Sequence, residues 1–354
     1  MHRSDVVIAG AGIIGLSLAL ELRRAGASVT VLERAEPGRE ASSAAAGMLV
    51  TADPDMNPAL KPLVEASSRM YPAFVEDLEL RSDMSVGFEN RGALYVAGDQ
   101  ENVPLPPLTA AEMRELEPAL AEFPRVYFLE ERSVDPRLLV QSALLAAKKL
   151  GVLVHHEAQV HQVHIGRERD LEIQTAAGRC VAATFVNCAG AWAREIAGSS
   201  TPSRPVKGQM LAVIPRGCEL RRVVRSRDVY LLPRKDGRVL IGATIEEAGF
   251  DKRVNPEVIQ QLHQAAANLV PPIGEARMLE AWTGLRPGSP DGLPILGPGH
   301  LPGTYIATGH FRNRILLAPI TAVVMSELIQ GKKTHVDLAP FAPSRFVGSE
   351  ALAG

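Results

Sequence analysis

The sequence predicts an α/β protein, α+β overall, in which a parallel sheet with crossover helices is joined to a smaller mixed sheet. Three stretches carry that expectation. Residues 6–34, VVIAGAGIIGLSLALELRRAGASVTVLER, read as strand, glycine-rich turn, helix and strand. A helix over 135–151 is followed by short β-rich runs at 153–155, 159–164, 171–174 and 179–182, with turns at Gly166 and Gly178. Further on, residues 230–233 and 238–243 flank an Asp236-Gly237 pair, a strong hairpin signal.

The first stretch is the most informative. Apolar residues over 5–9 suit a short buried strand, and a helix over 11–25 carries a stripe at Ile14, Leu18, Leu22 and Ala25, ended by Gly26. The next strand covers 28–32. Gly10 permits the tight strand-to-helix turn, Gly12 lets a pyrophosphate approach the backbone, and Gly15 lets the helix press on the strand. The free N–H groups and positive dipole end of the helix then face a diphosphate. Glu33 stands eighteen positions after the third glycine, where it would accept hydrogen bonds from an adenosine ribose. A lone G-x-G-x-x-G is weak, but within strand, helix and strand, with an acid so placed, it predicts a dinucleotide site. Flavin and nicotinamide dinucleotides both remain open on this stretch.

The later elements follow in order. The Pro-rich segment 53–130 holds a helix over 59–80 and a strand over 92–97. Asp135 caps the next helix, with Pro136 in its first turn and Gly151 at its end. TFVNCAGAWA, residues 184–193, reads as a strand running into a small-residue turn and a helix start. PVKGQML, 205–211, opens the second strand-rich region. A strand over 305–308, a loop and a helix over 316–330 come last, and the tail from Ala339 is expected to be loosely ordered.

Composition excludes several classes. With 46% hydrophobic and 22% charged residues and a net charge of −2, there is no basic footprint for nucleic acid. The longest uncharged apolar run, 315–325, is broken by Pro319 and too short to cross a membrane. The first strand begins too near Met1 for a signal peptide. Cys180, Cys188 and Cys218 lack ligand spacing, so buried free thiols in a cytoplasmic protein, and no metal, are expected.

The segment EASSAAAGMLV, residues 40–50, suits a loop tucked beneath a flat ring system. Here the sequence resembles the FAD-dependent oxidases of the D-amino-acid oxidase superfamily, and SSAAAGML is most similar to the glycine oxidases of the thiamine pathway. The motif W-x-G-x-R-P-x-x-x-D-G-x-P, from Trp282 to Pro294, and the loop GHFRNRILLAP, from Gly309 to Pro319, extend the resemblance over 6–331. It implies a glutathione-reductase-type FAD-binding Rossmann domain from 1–83, 134–203 and 287–354. A mixed-sheet substrate domain would come from 84–133 and 204–286.

The resemblance also implies site residues. Non-covalent FAD would be held by Gly10, Gly12, Ile14, Gly15, Glu33 and Arg34, by Ser42, Ser43, Ala46, Gly47 and Met48, and by Val160, Ala189, Gly190 and Trp192. Arg286 and the loop residues His310, Arg312, Asn313, Arg314, Ile315 and Leu316 would complete that set. Arg286 would clamp the substrate carboxylate in two contacts, which a planar fork does and a lysine cannot. Tyr230 would assist and Arg312 would shape the pocket, with Asp228 and Ile245 lining it. The chain departs from the family at Arg314, where relatives have glycine, and at Asp228, where many have histidine. Arg314 could stabilise an anionic reduced flavin, point to solvent or narrow the approach of oxygen. Relatives carry an apolar residue such as Met where this chain has Ile245.

The implied reaction is oxidative deamination of a small amino acid, glycine before sarcosine and D-alanine. Hydride would pass from Cα to flavin N5, and oxygen would be the acceptor. A helix N-terminus near the flavin and substrate orientation would replace an acid–base residue. Three other readings are a flavin dehydrogenase serving another carrier, a non-catalytic FAD scaffold and a pyridine-nucleotide dehydrogenase. Relatives are often tetramers, so a homo-oligomer is expected.

Overall fold

The computed structural model describes residues 2–53, 56–167, 170–199 and 201–346. Its first large sheet runs in the order Ile295–Pro298, Thr304–Thr308, Gly178–Asn187, His2–Ala9, Val29–Leu32 and Leu153–His155. The last five are parallel to one another, and Ile295–Pro298 is antiparallel. Val160–Ile165 and Leu171–Thr175 form a meander on Gly178–Asn187.

The helix Ile13–Arg24 follows the first strand and packs against the helices Pro136–Lys149 and Ala318–Ile329. Sandwiched this way, it buries almost every residue from Ile13 to Leu22 rather than one stripe. Gly26, at φ 94°, ends it. Asp135 caps Pro136–Lys149 by accepting from the Arg137 and Leu138 amides at 2.9 and 3.3 Å.

The second large sheet has the order Arg277–Gly288, Arg204–Ile214, Val239–Gly242, Tyr230–Pro233, Val223–Arg225, Ala93–Val96 and Val126–Leu129. Its pairings are antiparallel except that of Val223–Arg225 with Ala93–Val96. The helix Pro256–Leu269 covers one face, burying Ile259, Leu262, Ala266 and Leu269 against Leu211, Val213 and Ile241. An Asn255 cap and Pro256 at the first position mark its start.

Three expectations change. The runs at 179–182 and 184–187 are one strand, Gly178–Asn187, because His2–Ala9 pairs with it continuously from Cys180 to Asn187. The tail from Ala339 is docked as far as Phe346: Phe341 is 1% exposed, and Arg345 bonds the Asp291 carboxylate and the Leu293 and Pro294 carbonyls. Residues 347–354 of that expectation lie outside the described residues. The three cysteines are free as expected, but only Cys188 is buried. Among the described residues no helix is long and apolar enough to cross a membrane, and no His/Cys/Asp/Glu group could hold a metal ion.

Candidate active site

A groove opens at the carboxyl ends of His2–Ala9, Val29–Leu32 and Gly178–Asn187, where parallel sheets generally receive ligands. Gly10 has φ 103°, and a Cβ there would lie 2.4 Å from the Cys188 carbonyl oxygen. A Cβ on Gly15 would lie 2.0 Å from the Gly10 oxygen, so this glycine sets the contact of helix with strand rather than lining the groove. Glu33 is 8% exposed and accepts from the Ala11 amide at 2.8 Å and the Ala35 amide at 3.2 Å. Ser42 Oγ accepts from the Ile13 amide at the helix start, 3.1 Å away.

Gly12, Ile14, Arg34, Val160, Ala189, Gly190, Trp192 and His310 also line this groove. The Arg34 guanidinium lies 3.5 Å from the Trp192 ring centroid, and Phe250 stacks on the same ring at 5.3 Å. Glu40 pairs with both Arg34 and Lys252. The sequence reading missed Phe250, Glu40 and Lys252, since no motif joins residues so far apart.

A second cavity lies beneath the second sheet. Arg286 reaches it from Arg277–Gly288 and Tyr230 from Tyr230–Pro233, with Met210 on Arg204–Ile214 between them. Two strand glycines make room for these side chains. A Cβ on Gly208 would lie 2.3–2.5 Å from the Arg286 guanidinium, and one on Gly242 would lie 2.5 Å from Tyr230 Oη. Gly284 does the same for the loop, since its Cβ would lie 2.6 Å from that of Ala44.

Arg286 donates through Nη1 to the Thr244 and Lys207 carbonyls at 2.9 and 3.3 Å, which holds the fork in place. Among the described residues no carboxylate is within ion-pair distance of it, and Nε and Nη2 have no partner. Removal from water draws its affinity for a proton below the ordinary guanidinium range, with Tyr230 opposing and Arg312 assisting. The Tyr230 hydroxyl donates to Met210 Sδ at 3.5 Å, and burial raises its pKa, so it stays a neutral donor.

Ala46, Gly47, Met48, Asn313 and Ile315 line the cavity, while Asp228, Ile245 and Arg312 stand exposed at its rim. Arg225, which also lines the cavity, makes an ion pair missed in the sequence: it bonds both oxygens of Glu131 at 3.1 and 2.7 Å, with side chains 8% and 3% exposed. Tyr95 lies under the Arg225 guanidinium, 4.7 Å from its centre.

Besides Gly15, two expected cofactor residues line neither space. Ser43 turns its hydroxyl to the Gly38 carbonyl, and Leu316 is buried with its carbonyl accepting from Ser67 Oγ at 2.6 Å. Arg314 borders both groove and cavity. It points inward, not to solvent: Nε and Nη2 donate to the Ala41 carbonyl and Nη1 to that of Phe311. His310 bonds Thr321 Oγ1 at 3.0 Å, and burial with the Arg314 charge lowers its pKa to about 3, leaving a neutral imidazole. Consecutive residues divide between the two spaces as well, Arg286 facing the cavity and Pro287 the groove.

A family model described as FAD dependent oxidoreductase matches residues 5–328. The bifunctional protein ThiO/ThiG of Trichormus variabilis is 36% identical over 97% of this chain, which spans only 55% of that relative's length. The hydrogen cyanide synthase subunit HcnC of Pseudomonas aeruginosa is 32% identical, covering 98% of this chain and 97% of its own. The crystal structure of glycine oxidase from Geobacillus kaustophilus is similar with a TM-score of 0.91 and 32% identity, over 98% of this chain and 100% of that one. With that fold and those relatives, the chain belongs to the family of FAD-dependent oxidoreductases.

Proposed function

We propose that the chain oxidises a small amino acid, glycine first and sarcosine or D-alanine next, to an imine that hydrolyses to an oxo-acid and ammonia. The observation that carries this reading is the pairing of Arg286 and Tyr230 in one cavity that adjoins the groove. A fork without a carboxylate partner and a neutral phenol make a receptor for a carboxylate.

The groove fits FAD. Its Gly10 turn has no room for a side chain, Gly12 lines it at the start of the helix where a diphosphate would lie, and Glu33 sits at the end of the second strand. Bound there, FAD supplies an acceptor for the two electrons of a hydride. The protein's own part is orientation: Arg286 and Tyr230 fix the carboxylate and thereby the direction of the Cα–H bond. His310, with its pKa lowered to about 3, is too weak a base to take the amine's proton near neutral pH, so that proton goes to solvent before the hydride leaves.

In this reading 1–83, 134–203 and 287–354 form the FAD-binding unit, 84–133 and 204–286 the substrate unit, and the origin of the strands in each sheet supports that division. Oxygen is the acceptor, peroxide a product and the cytoplasm the compartment. FAD is bound without a covalent link. The second reading passes the electrons to another carrier, and the bulk of Arg314 between groove and cavity is what favours it.

The test is anaerobic mixing of the yellow protein with glycine, sarcosine, D-alanine and D-proline in turn. Bleaching by a small amino acid, lost in Arg286→Ala, is expected, and air should then restore the colour with release of peroxide. A flavin that stays oxidised with the whole panel would overturn the amino-acid reading. Bleaching that air does not reverse, but a dye does, would favour the second reading.

A further inference from the structure

We propose that Arg314 is the fixed positive charge that stabilises the negative charge acquired by the cofactor on reduction, and so raises its reduction potential. This rests on the FAD site in the groove but not on which substrate is oxidised.

Arg314 is 7% exposed, and its guanidinium is held from two sides by the Ala41 and Phe311 carbonyls. Carbonyl oxygens satisfy its N–H groups but leave the net charge in place. Among the described residues no carboxylate is within ion-pair distance of it. The charge nearest in effect is another cation, Arg286, and Tyr230 is neutral. A cation withdrawn from water without a counter-ion is costly, and the fold keeps this one rigidly placed. Such a site is electrostatically incomplete until an anion arrives.

Position identifies the anion. Arg314 borders both the groove and the cavity, so a ligand that runs from one into the other passes its guanidinium. The diphosphate has its own place at the helix start, since Gly12 and Ile13 line the groove and not the cavity. At the cavity end, the charge appears during turnover. A neutral amine that gives up hydride from Cα becomes a cationic iminium, and the neutral oxidised ring that takes the hydride becomes an anion. The helix Ala318–Ile329 begins four residues after Arg314 and adds its positive end in the same region.

The experiment uses FAD-loaded protein, wild type against Arg314→Met, Arg314→Gly and Arg314→Lys. Sulfite, which adds to oxidised flavin to give an anionic adduct, is titrated by loss of the yellow absorbance, and the potential is measured by dye equilibration. Arg314→Met and Arg314→Gly are expected to bind sulfite at least tenfold more weakly. Their potentials should fall by about 30 mV or more, the equivalent of tenfold in a two-electron equilibrium. Arg314→Lys should stay within threefold of wild type. Neutral variants that match wild type in both readouts would overturn the proposal. So would equal weakening of oxidised and reduced FAD with the potential unmoved, which would make Arg314 a diphosphate ligand. Loss of FAD from both neutral variants but not from Arg314→Lys would overturn it too, leaving a structural clasp. None of these readouts needs an amino-acid substrate, so failure here is separable from failure of the proposed reaction.

Discussion

The groove takes its walls from residues that immediately follow three parallel strands, among them Gly10, Gly12, Glu33, Arg34, Cys188, Ala189 and Gly190, and the Gly10 turn leaves no room for a side chain. The cavity takes Met210, Tyr230 and Arg286 from separate strands of the other sheet, and offers side chains that neighbouring glycines make space for. A site made at strand ends is fixed by local chain geometry. One made of side chains across a sheet depends on register, on empty positions beside each side chain and on buried charge near them. The two should therefore fail separately.

Glu131→Ala should give the largest effect. It leaves Arg225 buried and unpaired beside the cavity, for a loss of about 3–5 kcal/mol measured by urea unfolding of the holoprotein. An unchanged midpoint would mean that the cavity lining relaxes and admits water. Gly10→Ala attacks the other region. It forces a side chain into a backbone carbonyl at positive φ, and a cost on the order of 3 kcal/mol, with loss of yellow colour, is expected. Normal FAD content in this variant would break the idea that backbone geometry governs the groove.

Arg286→Ala should keep FAD and its spectrum yet lower kcat/KM for the amino acid about a hundredfold, as loss of orientation does. Gly208→Ala pushes on the same guanidinium from the neighbouring strand and should give a smaller loss, about tenfold, again with full FAD content. If Gly208→Ala released FAD instead, the cavity and the groove would not be independent.

The last effect, absent at neutral pH, concerns His310. Its pKa is about 3 in the fold against 6.5 for an ordinary histidine, so between those values the unfolded chain binds a proton that the native one refuses. Its contribution to stability is therefore complete above pH 6.5 and declines as pH falls toward 3, by up to about 1.4 kcal/mol per pH unit. Urea midpoints measured from pH 7 down to pH 4 for wild type and His310→Gln should converge. Parallel curves would show that the imidazole is not kept neutral.

The same contrast explains what could be read from the chain. Gly10, Gly12, Gly15 and Glu33 announce themselves because spacing along a strand, turn and helix is also spacing in space. The hairpin around Asp236-Gly237 was legible for the same reason. The strand Arg277–Gly288 was not, its burial pattern being irregular, whereas the helix Pro256–Leu269 did carry signals that went unread: the Asn255 cap, Pro256 and the apolar spacing of Ile259, Leu262, Ala266 and Leu269. Arg286 and Tyr230 came into view only through family likeness, whereas Met210, Arg225 and Glu131 carry no motif. Gly208, inside PVKGQML, did hold a signal, since glycine within a strand marks a close approach; what approaches it is fixed by pairing with the strand Arg277–Gly288. The tail was misjudged because one phenylalanine and one arginine, Phe341 and Arg345, suffice to dock it.

Arg286 and Pro287 face different spaces from adjacent positions on one strand. On the proposed reading, a single peptide unit therefore serves as the ruler between the carboxylate that Arg286 grips and the cofactor that receives the electrons. Selection or engineering can enlarge the far wall, at Ile245 or Asp228, and admit longer side chains. It cannot lengthen the ruler without an insertion in the strand, which would turn the fork to the opposite face of the sheet. Substrates can thus change at the end remote from the carboxylate, while the position of the reacting carbon stays bound to the covalent chain.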